Sequence, residues 1–257
     1  MKFISGYNTD IGIKKATNED SLLLLHAMTN YGETVFAVIC DGMGGLKKGE
    51  LASAEVITAC SAWFKTSFPK LISNGNLNVA GLRSDWVEIL EKKDNALTHY
   101  GSQNGFNLGT TITCILIYNG TYYICNVGDS RVYMLTDNCY QLTHDHTVVQ
   151  EKIDSGMMTE EQALYDPQRS VLTQCIGSSA FVNPDFFSGA VQSDTTFMLC
   201  CDGFRHVVSP QEFYTYLNPG VLTSEKQINA NLTMLTELVK QRGETDNITA
   251  IAIKVTM

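Results

Sequence analysis

The stretch TTITCILIYNGTYYICNVGDSRVYML, residues 110–135, constrains the fold more than any other part of this chain. It is dense in β-branched and aromatic residues, which favour extended backbone. Near its middle stands Asn119-Gly120, a pair that tolerates the positive φ angles of a two-residue hairpin turn. Antiparallel neighbours are therefore expected. Further strand-like runs are SLLLL (21–25), TVFAVICD (34–41), TFMLCCD (196–202) and NITAIAIKV (247–255). Helical periods lie between them. In GELASAEVITACSAWF, the three- and four-residue spacing of Leu51, Ala54, Ile57, Cys60 and Phe64 predicts one buried face. Ile228, Leu232, Leu235 and Val239 form a second such stripe, with Gly243 as its stop. The stretch LRSDWVEILEKKDNALTHYG predicts a third helix ending at Gly101. Hairpin strands with long helices outside them point to an α+β fold of stacked antiparallel sheets covered by helices.

No linker, repeat or long charge block divides the sequence, so residues 1–257 are expected to form one domain. Residues 144–180 are less regular and read as a flap-like segment. No apolar run is long enough to span a membrane. The N-terminal MKFISGYNTDIGIKK lacks the features of a signal peptide. Acidic residues outnumber basic ones, 27 to 18, which argues against nucleic acid as the main partner. The eight cysteines form no CxxC pair, and most sit in apolar runs, where they read as small buried hydrophobes. With no signal peptide, they point to the reducing cytoplasm.

The acids carry the chemistry. Glu19 and Asp20 precede SLLLL, Asp41 ends TVFAVIC, and Asp129 follows TYYICNVG. Asp202 ends TFMLCC, and Asp246 precedes NITAIAIKV. One such acid is ordinarily a turn or cap residue. The same feature at five strand junctions strains that reading, because a buried carboxylate is costly unless paired or metal-bound. Hard oxygen donors without a Cys or His cluster suit Mg²⁺ or Mn²⁺. If Glu19, Asp41, Asp202 and Asp246 share one site, two divalent cations would balance their charge. Such a pair can activate water for attack on phosphorus.

The pieces NEDS, DGMGG, GTT, VGDSRVY, LTHDH, TEEQA, LTQCIG, CDGF and DNIT occur in this order, spread over nearly the whole chain. In them the chain resembles the metal-dependent protein serine/threonine phosphatases of the protein phosphatase 2C type, particularly the short bacterial ones. The resemblance implies a four-layer sandwich of two antiparallel sheets flanked by helices. It also implies hydrolysis of phosphoserine and phosphothreonine in proteins, by a metal-bridging hydroxide that attacks phosphorus directly. Asp41 would bridge two Mg²⁺ or Mn²⁺ ions and the Gly42 carbonyl would add a ligand. Glu19 would bind one ion, and Asp202 and Asp246 the other. Asp20 would orient metal-bound water. Asp129, with Asp202, would hold a weaker third ion. The implied partners are phosphorylated proteins, substrates of a serine/threonine kinase. No nucleic acid or membrane is expected, and the protein is taken to be a cytoplasmic monomer.

Two positions depart from the family pattern. Lys15 stands where the family usually has a phosphate-binding Arg, and it offers a point charge in place of a planar fork. Its neighbour Lys14 is the other lysine at this point. Met43 stands where eukaryotic relatives carry His, and no side chain here is assigned to protonate the leaving group. His144 and His146 read as turn or flap residues, and Arg131 as an ion-pair partner. Ser130 lacks a base and is not read as a nucleophile. Thr159 reads as a helix cap. Two other functions are weighed: a catalytically silent, partner-binding relative, and a phosphatase dedicated to one regulatory phosphoprotein. The first should have lost some of the acids, yet every matching acid is present. The second usually carries a sensor domain, for which this chain has no spare length.

Overall fold

The computed structural model describes residues 1–43, 48–73, 76–179 and 181–256. Gly44 and Gly45, the end of the glycine run after Asp41, lie outside the described residues. The chain opens with β1 (Lys2–Asp10), β2 (Ser21–Thr29) and β3 (Gly32–Cys40). Three helices follow, α1 (Gly49–Thr66), α2 (Phe68–Leu71) and α3 (Val79–Asn104). Next come β4 (Ile112–Tyr118), β5 (Thr121–Val127), β6 (Arg131–Leu135) and β7 (Cys139–Gln141). After α4 (Val148–Asp154) and α5 (Glu160–Ala163) come β8 (Asp185–Ala190) and β9 (Thr195–Cys200). The last elements are α6 (Asp202–Arg205), α7 (Pro210–Leu217), α8 (Glu225–Gln241) and β10 (Ile248–Thr256).

The strands form two five-stranded sheets, β1-β10-β9-β6-β7 and β2-β3-β4-β5-β8. Every pairing is antiparallel. The α+β sandwich expected from the sequence is the fold observed. β3 shows why its strand reads as an unbroken apolar run, since both of its faces are buried. Val35, Ala37 and Ile39 join the core shared with Phe197, Leu199, Ile251 and Ile253 of the other sheet. Phe36, Val38 and Cys40 point the other way, into a core with α1 and α3. There the Phe36 ring meets Trp63 at 5.2 Å and Phe64 at 5.4 Å between centroids. On the far side of the molecule, α7 and α8 cover the first sheet through Phe213, Leu217, Ile228 and Leu232.

The Asn119-Gly120 turn joins β4 to β5, with φ angles of 47° and 78°. The expected stripe of α8 is fully buried at Ile228, Leu232, Leu235 and Val239. Two helix expectations need correction. The buried face of α1 is Gly49, Ala52, Ser53, Val56, Cys60, Trp63 and Phe64, whereas Ala54 is exposed. Small residues at its start let the helix lie close on the strands beneath, and this rotates the stripe away from Leu51 and Ile57. The third helix does not stop at Gly101. It runs to Asn104 and ends at Gly105, whose φ of 70° gives the left-handed cap.

The flap-like segment holds α4 and α5, both with N-caps: Thr147 accepts from Gln150, and Thr159 forms a capping box with Gln162. Among the described residues, no helix is long and apolar enough to cross a membrane.

Candidate metal centre and cleft

The acids gather where both sheets end. Asp41 follows β3, and its backbone is clamped by two threonines before β4. Thr111 Oγ1 accepts from the Asp41 N–H at 3.0 Å. Thr111 N–H and Thr110 Oγ1 donate to the Asp41 carbonyl at 2.9 and 3.0 Å. Gly42 then passes between two backbones, donating from its N–H to the Glu19 carbonyl at 3.2 Å. A Cβ at Gly42 would sit 2.5 Å from both the Glu19 and the Gly49 carbonyl oxygens, so no larger residue fits. Close approach, rather than an unusual φ, explains the glycine after Asp41.

Asn247 ties the N-terminal loop to the start of β10. Its Oδ1 accepts from the Glu19 N–H at 2.9 Å, and its Nδ2 donates to the carbonyls of Ile11 and Thr17 at 2.9 and 3.1 Å. This brings Lys15 to Asp246, with Nζ 2.7 Å from Oδ1. Burial alone would lower the Lys15 pKa, but Asp246, Glu19 and Asp41 hold it above its ordinary value. Asp202 begins the one-turn helix α6, and its Oδ2 lies 3.4 Å from His206 Nε2. His206 Nδ1 is 3.2 Å from Glu244 Oε2, while Glu244 Oε1 accepts from the N–H groups of Thr245 and Asp246 at 2.7 and 3.0 Å. A chain of contacts thus links the acid after β9 to the acid before β10.

Asp129 lies where the chain crosses from one sheet to the other, between β5 and β6. It is 3% exposed. Arg205 Nη2 donates to its carbonyl at 3.0 Å and lies 3.4 Å from Oδ2. The same guanidinium reaches Asp145 Oδ2 at 3.2 Å, and Arg131 binds Asp145 through Nε and Nη2 at 2.8 and 2.7 Å. Arg131 is therefore an ion-pair partner, as expected, and Ser130 is fully buried with its hydroxyl 3.1 Å from that of Thr111. His144 pairs with Asp154 at 2.8 Å and His146 with Asp185 at 3.1 Å, and neither is among the residues lining the acid-bearing cleft.

The carboxylates oppose one another's ionisation. Burial raises the Asp41 pKa well above the ordinary range, and Asp20, Asp202, Asp129 and Asp246 add to the rise. Burial also lifts Asp20 to about 7; nearby Thr249 and Cys201 moderate the shift, while Asp202 and Asp246 add to it. Asp129 reaches about 7 through burial and the Asp202 charge, with Arg205 pulling the other way. Glu19 is raised mainly by burial, against the pull of Lys15. Both carboxylate oxygens of Asp20 are buried without a hydrogen bond of ordinary geometry among the described residues.

Lys15, Asp41, Gly42, Asp129, Asp202 and Asp246 line a single open cleft of about 680 Å³. Ser170, Leu172, Thr173 and Ser178, from the flap-like segment, also line it. Asp20 lies behind Asp41, and oxygens of the two acids and the Cys201 sulfur all lie within 4.8 Å of one another. Lys14, unlike Lys15, is exposed and is not among the residues lining the cleft. Sequence reasoning missed Asn247, Arg205, Asp145 and Cys201. The first and last were legible only as neighbours of acids already singled out.

The protein phosphatase 2C family profile matches residues 13–241. A protein phosphatase 2C-type protein of Streptococcus pyogenes is 31% identical over 245 residues, which span 94% of this chain and 93% of that protein. The serine/threonine phosphatase Stp1 from Staphylococcus aureus is similar in structure, with a TM-score of 0.85 at 29% identity, covering 100% of this chain and 96% of that one. The catalytic domain of the serine threonine protein phosphatase PstP, in complex with 2 manganese ions, gives a TM-score of 0.78 at 25% identity, covering 100% of both chains.

Proposed function

Because this chain belongs to the protein phosphatase 2C family of serine/threonine phosphatases, we propose that it hydrolyses phosphoserine and phosphothreonine in proteins at the acid-lined cleft, using Mg²⁺ or Mn²⁺. The observation that carries this reading is the convergence of Asp41, Asp129, Asp202, Asp246 and Lys15 on one cleft from distant parts of the sequence.

The donor set suits the implied ions. Among the described residues the two buried Asp20 oxygens meet no hydrogen-bond donor in ordinary geometry, and the Asp41 carboxyl is crowded by four other acids. Cations relieve both conditions, and carboxylate and carbonyl oxygens are the donors that Mg²⁺ and Mn²⁺ prefer. In this reading Glu19, Asp41, the Gly42 carbonyl, Asp202 and Asp246 hold two ions, and Asp129 with Asp202 a weaker third. Bound there, the ions supply activated water and charge neutralisation for direct attack on phosphorus.

The chain's own residues do the rest. Lys15 presents an ammonium beside Asp246 that attracts a phosphate dianion into the cleft. Asp20, behind Asp41, is free to accept a hydrogen bond from water at the cluster. Asn247 fixes the loop that carries both Lys15 and Glu19. No phosphoenzyme is expected, since the Ser130 hydroxyl is buried against Thr111 rather than set beside a base. In this reading residues 1–257 work as one catalytic domain and as a monomer, on substrates of a serine/threonine kinase. Eight free cysteines support a reducing cytoplasm as its setting.

The test is phosphate release from a phosphothreonine peptide by chelator-stripped protein. Activity should be absent without metal and return with Mn²⁺ or Mg²⁺. Full activity without metal, or none with it, overturns the reading.

A further inference from the structure

Cys201 follows β9 and immediately precedes Asp202, and its sulfur is turned inward to the acid cluster. It is the only soft donor in the group it forms with Asp20 and Asp41, whose ligand atoms all lie within 4.8 Å. Both Asp20 oxygens are buried without a hydrogen bond of ordinary geometry among the described residues, while Thr249 and Cys201 stand close enough to favour its charged form. The sulfur is held ready. The Thr249 N–H donates to Sγ at 3.1 Å, and the thiol donates weakly to the Asn247 carbonyl at 3.5 Å. If the thiol proton leaves, the Thr249 N–H remains on sulfur, where a hydrogen bond to the charged form is stronger. Such an outer partner orients a metal ligand.

We propose that Cys201, with Asp20 and Asp41, forms a binding site for a thiophilic divalent cation such as Cd²⁺ or Zn²⁺. The inference rests on the phosphatase reading only in taking the cluster to admit divalent cations through the cleft at Asp41. Sulfur selects borderline and soft cations over Mg²⁺ and Mn²⁺, which prefer oxygen. Tetrahedral Zn²⁺ with bonds of roughly 2.0–2.3 Å needs its ligand atoms roughly 3.5 Å apart, so the three must close by roughly 1.3 Å at most. Binding forms the metal–sulfur bond and releases the thiol proton to water. Cys60, Cys114 and Cys125 lie instead in the helix-side core, among apolar side chains.

Cd²⁺ alone is the probe, added to the chelator-stripped full chain. The wild-type protein should develop a thiolate-to-cadmium charge-transfer band in the ultraviolet, saturating at one equivalent. Cys201→Ser should lose that band and bind Cd²⁺ at least about tenfold more weakly by calorimetry, while its Mn²⁺ affinity changes by less than about threefold. Equal bands or equal Cd²⁺ affinities in the two proteins overturn the proposal. Cadmium-edge absorption on the wild type needs no variant: one sulfur among oxygens supports the site, and oxygens alone or several sulfurs refute it. Failure of the phosphatase reading looks different. Mn²⁺ would then fail to support peptide hydrolysis while the cadmium band persisted.

Discussion

Lys15 Nζ lies 2.7 Å from Asp246 Oδ1, although 230 residues of sequence separate the N-terminal loop from the start of β10. The pair sets a cation against one of the acids assigned to a metal. Lys15→Ala should therefore act in two directions. It should lower kcat/KM on a phosphopeptide by about 10- to 100-fold, or roughly 1.4 to 2.7 kcal/mol, through the lost attraction for phosphate. It should also tighten Mn²⁺ binding, because a competing positive charge is gone. Lys15→Arg should keep most activity, and the exposed Lys14→Ala should change little. Steady-state kinetics with calorimetry on the same variants checks all three. Unchanged kcat/KM in Lys15→Ala removes the phosphate role.

Metal-free protein should lose stability as pH rises. Asp20 and Asp129 have folded pKa values of about 7, raised above the ordinary carboxylate range chiefly by burial. Between that range and about 7 the folded state binds more protons than the unfolded state, so stability falls with increasing pH. The melting temperature in chelator should drop from about pH 5 to about pH 7 and level off above that, and saturating Mn²⁺ should flatten the trend. A melting temperature in chelator that holds or rises over this interval contradicts the assignment.

Asp41→Asn should remove most turnover while leaving a folded protein. The change replaces a carboxyl whose ionisation is opposed by burial and four other acids, so it relieves repulsion at pH above the raised Asp41 pKa. The metal-free melting temperature should rise by roughly 2–4 °C for each kcal/mol of repulsion relieved. Near-normal turnover in a folded variant would show that Asp41 does not bridge the ions.

Asp129→Ala should be tolerated structurally, because Arg205 keeps Asp145 at 3.2 Å. Turnover should fall while calorimetry still finds two tight Mn²⁺ sites. Loss of a tight site would move Asp129 into the core cluster.

Asp145→Ala should behave in the opposite manner. It strips the shared carboxylate from Arg131 and Arg205, two largely buried guanidinium groups. A loss of about 3–5 kcal/mol in denaturant unfolding is expected, as for other broken buried ion pairs. A loss under about 1 kcal/mol would mean that water or Asp129 compensates.

The parts legible in the sequence were those with a local cause. The acids at strand ends, the Asn119-Gly120 turn and the α8 stripe each follow from residue type and spacing. β1 was not foreseen, since KFISGYNTD is an edge strand with polar residues and only partial burial. The switch between sheets at residues 128–130 was hidden because β5 and β6 read as one meander. The phase of α1 escaped because its buried face begins with Gly49, Ala52 and Ser53, which carry little hydrophobic signal. Arg205 and Asp145 find each other only through the tertiary fold, 60 residues apart.

The pairing of β1 with β10 runs from Lys2 opposite Thr256 to Asp10 opposite Ile248. Synthesis by a ribosome delivers β1 long before β10. Glu19 and Lys15 must therefore wait, with β1 unpaired, until β10 has emerged and zipped against it. Pairings of such long range are slow to form, and the waiting edge is exposed meanwhile. The nascent chain thus carries no complete acid cluster until β10 has emerged, and a product cut short before residue 246 would keep four of the five acid-bearing strand junctions and lack the fifth.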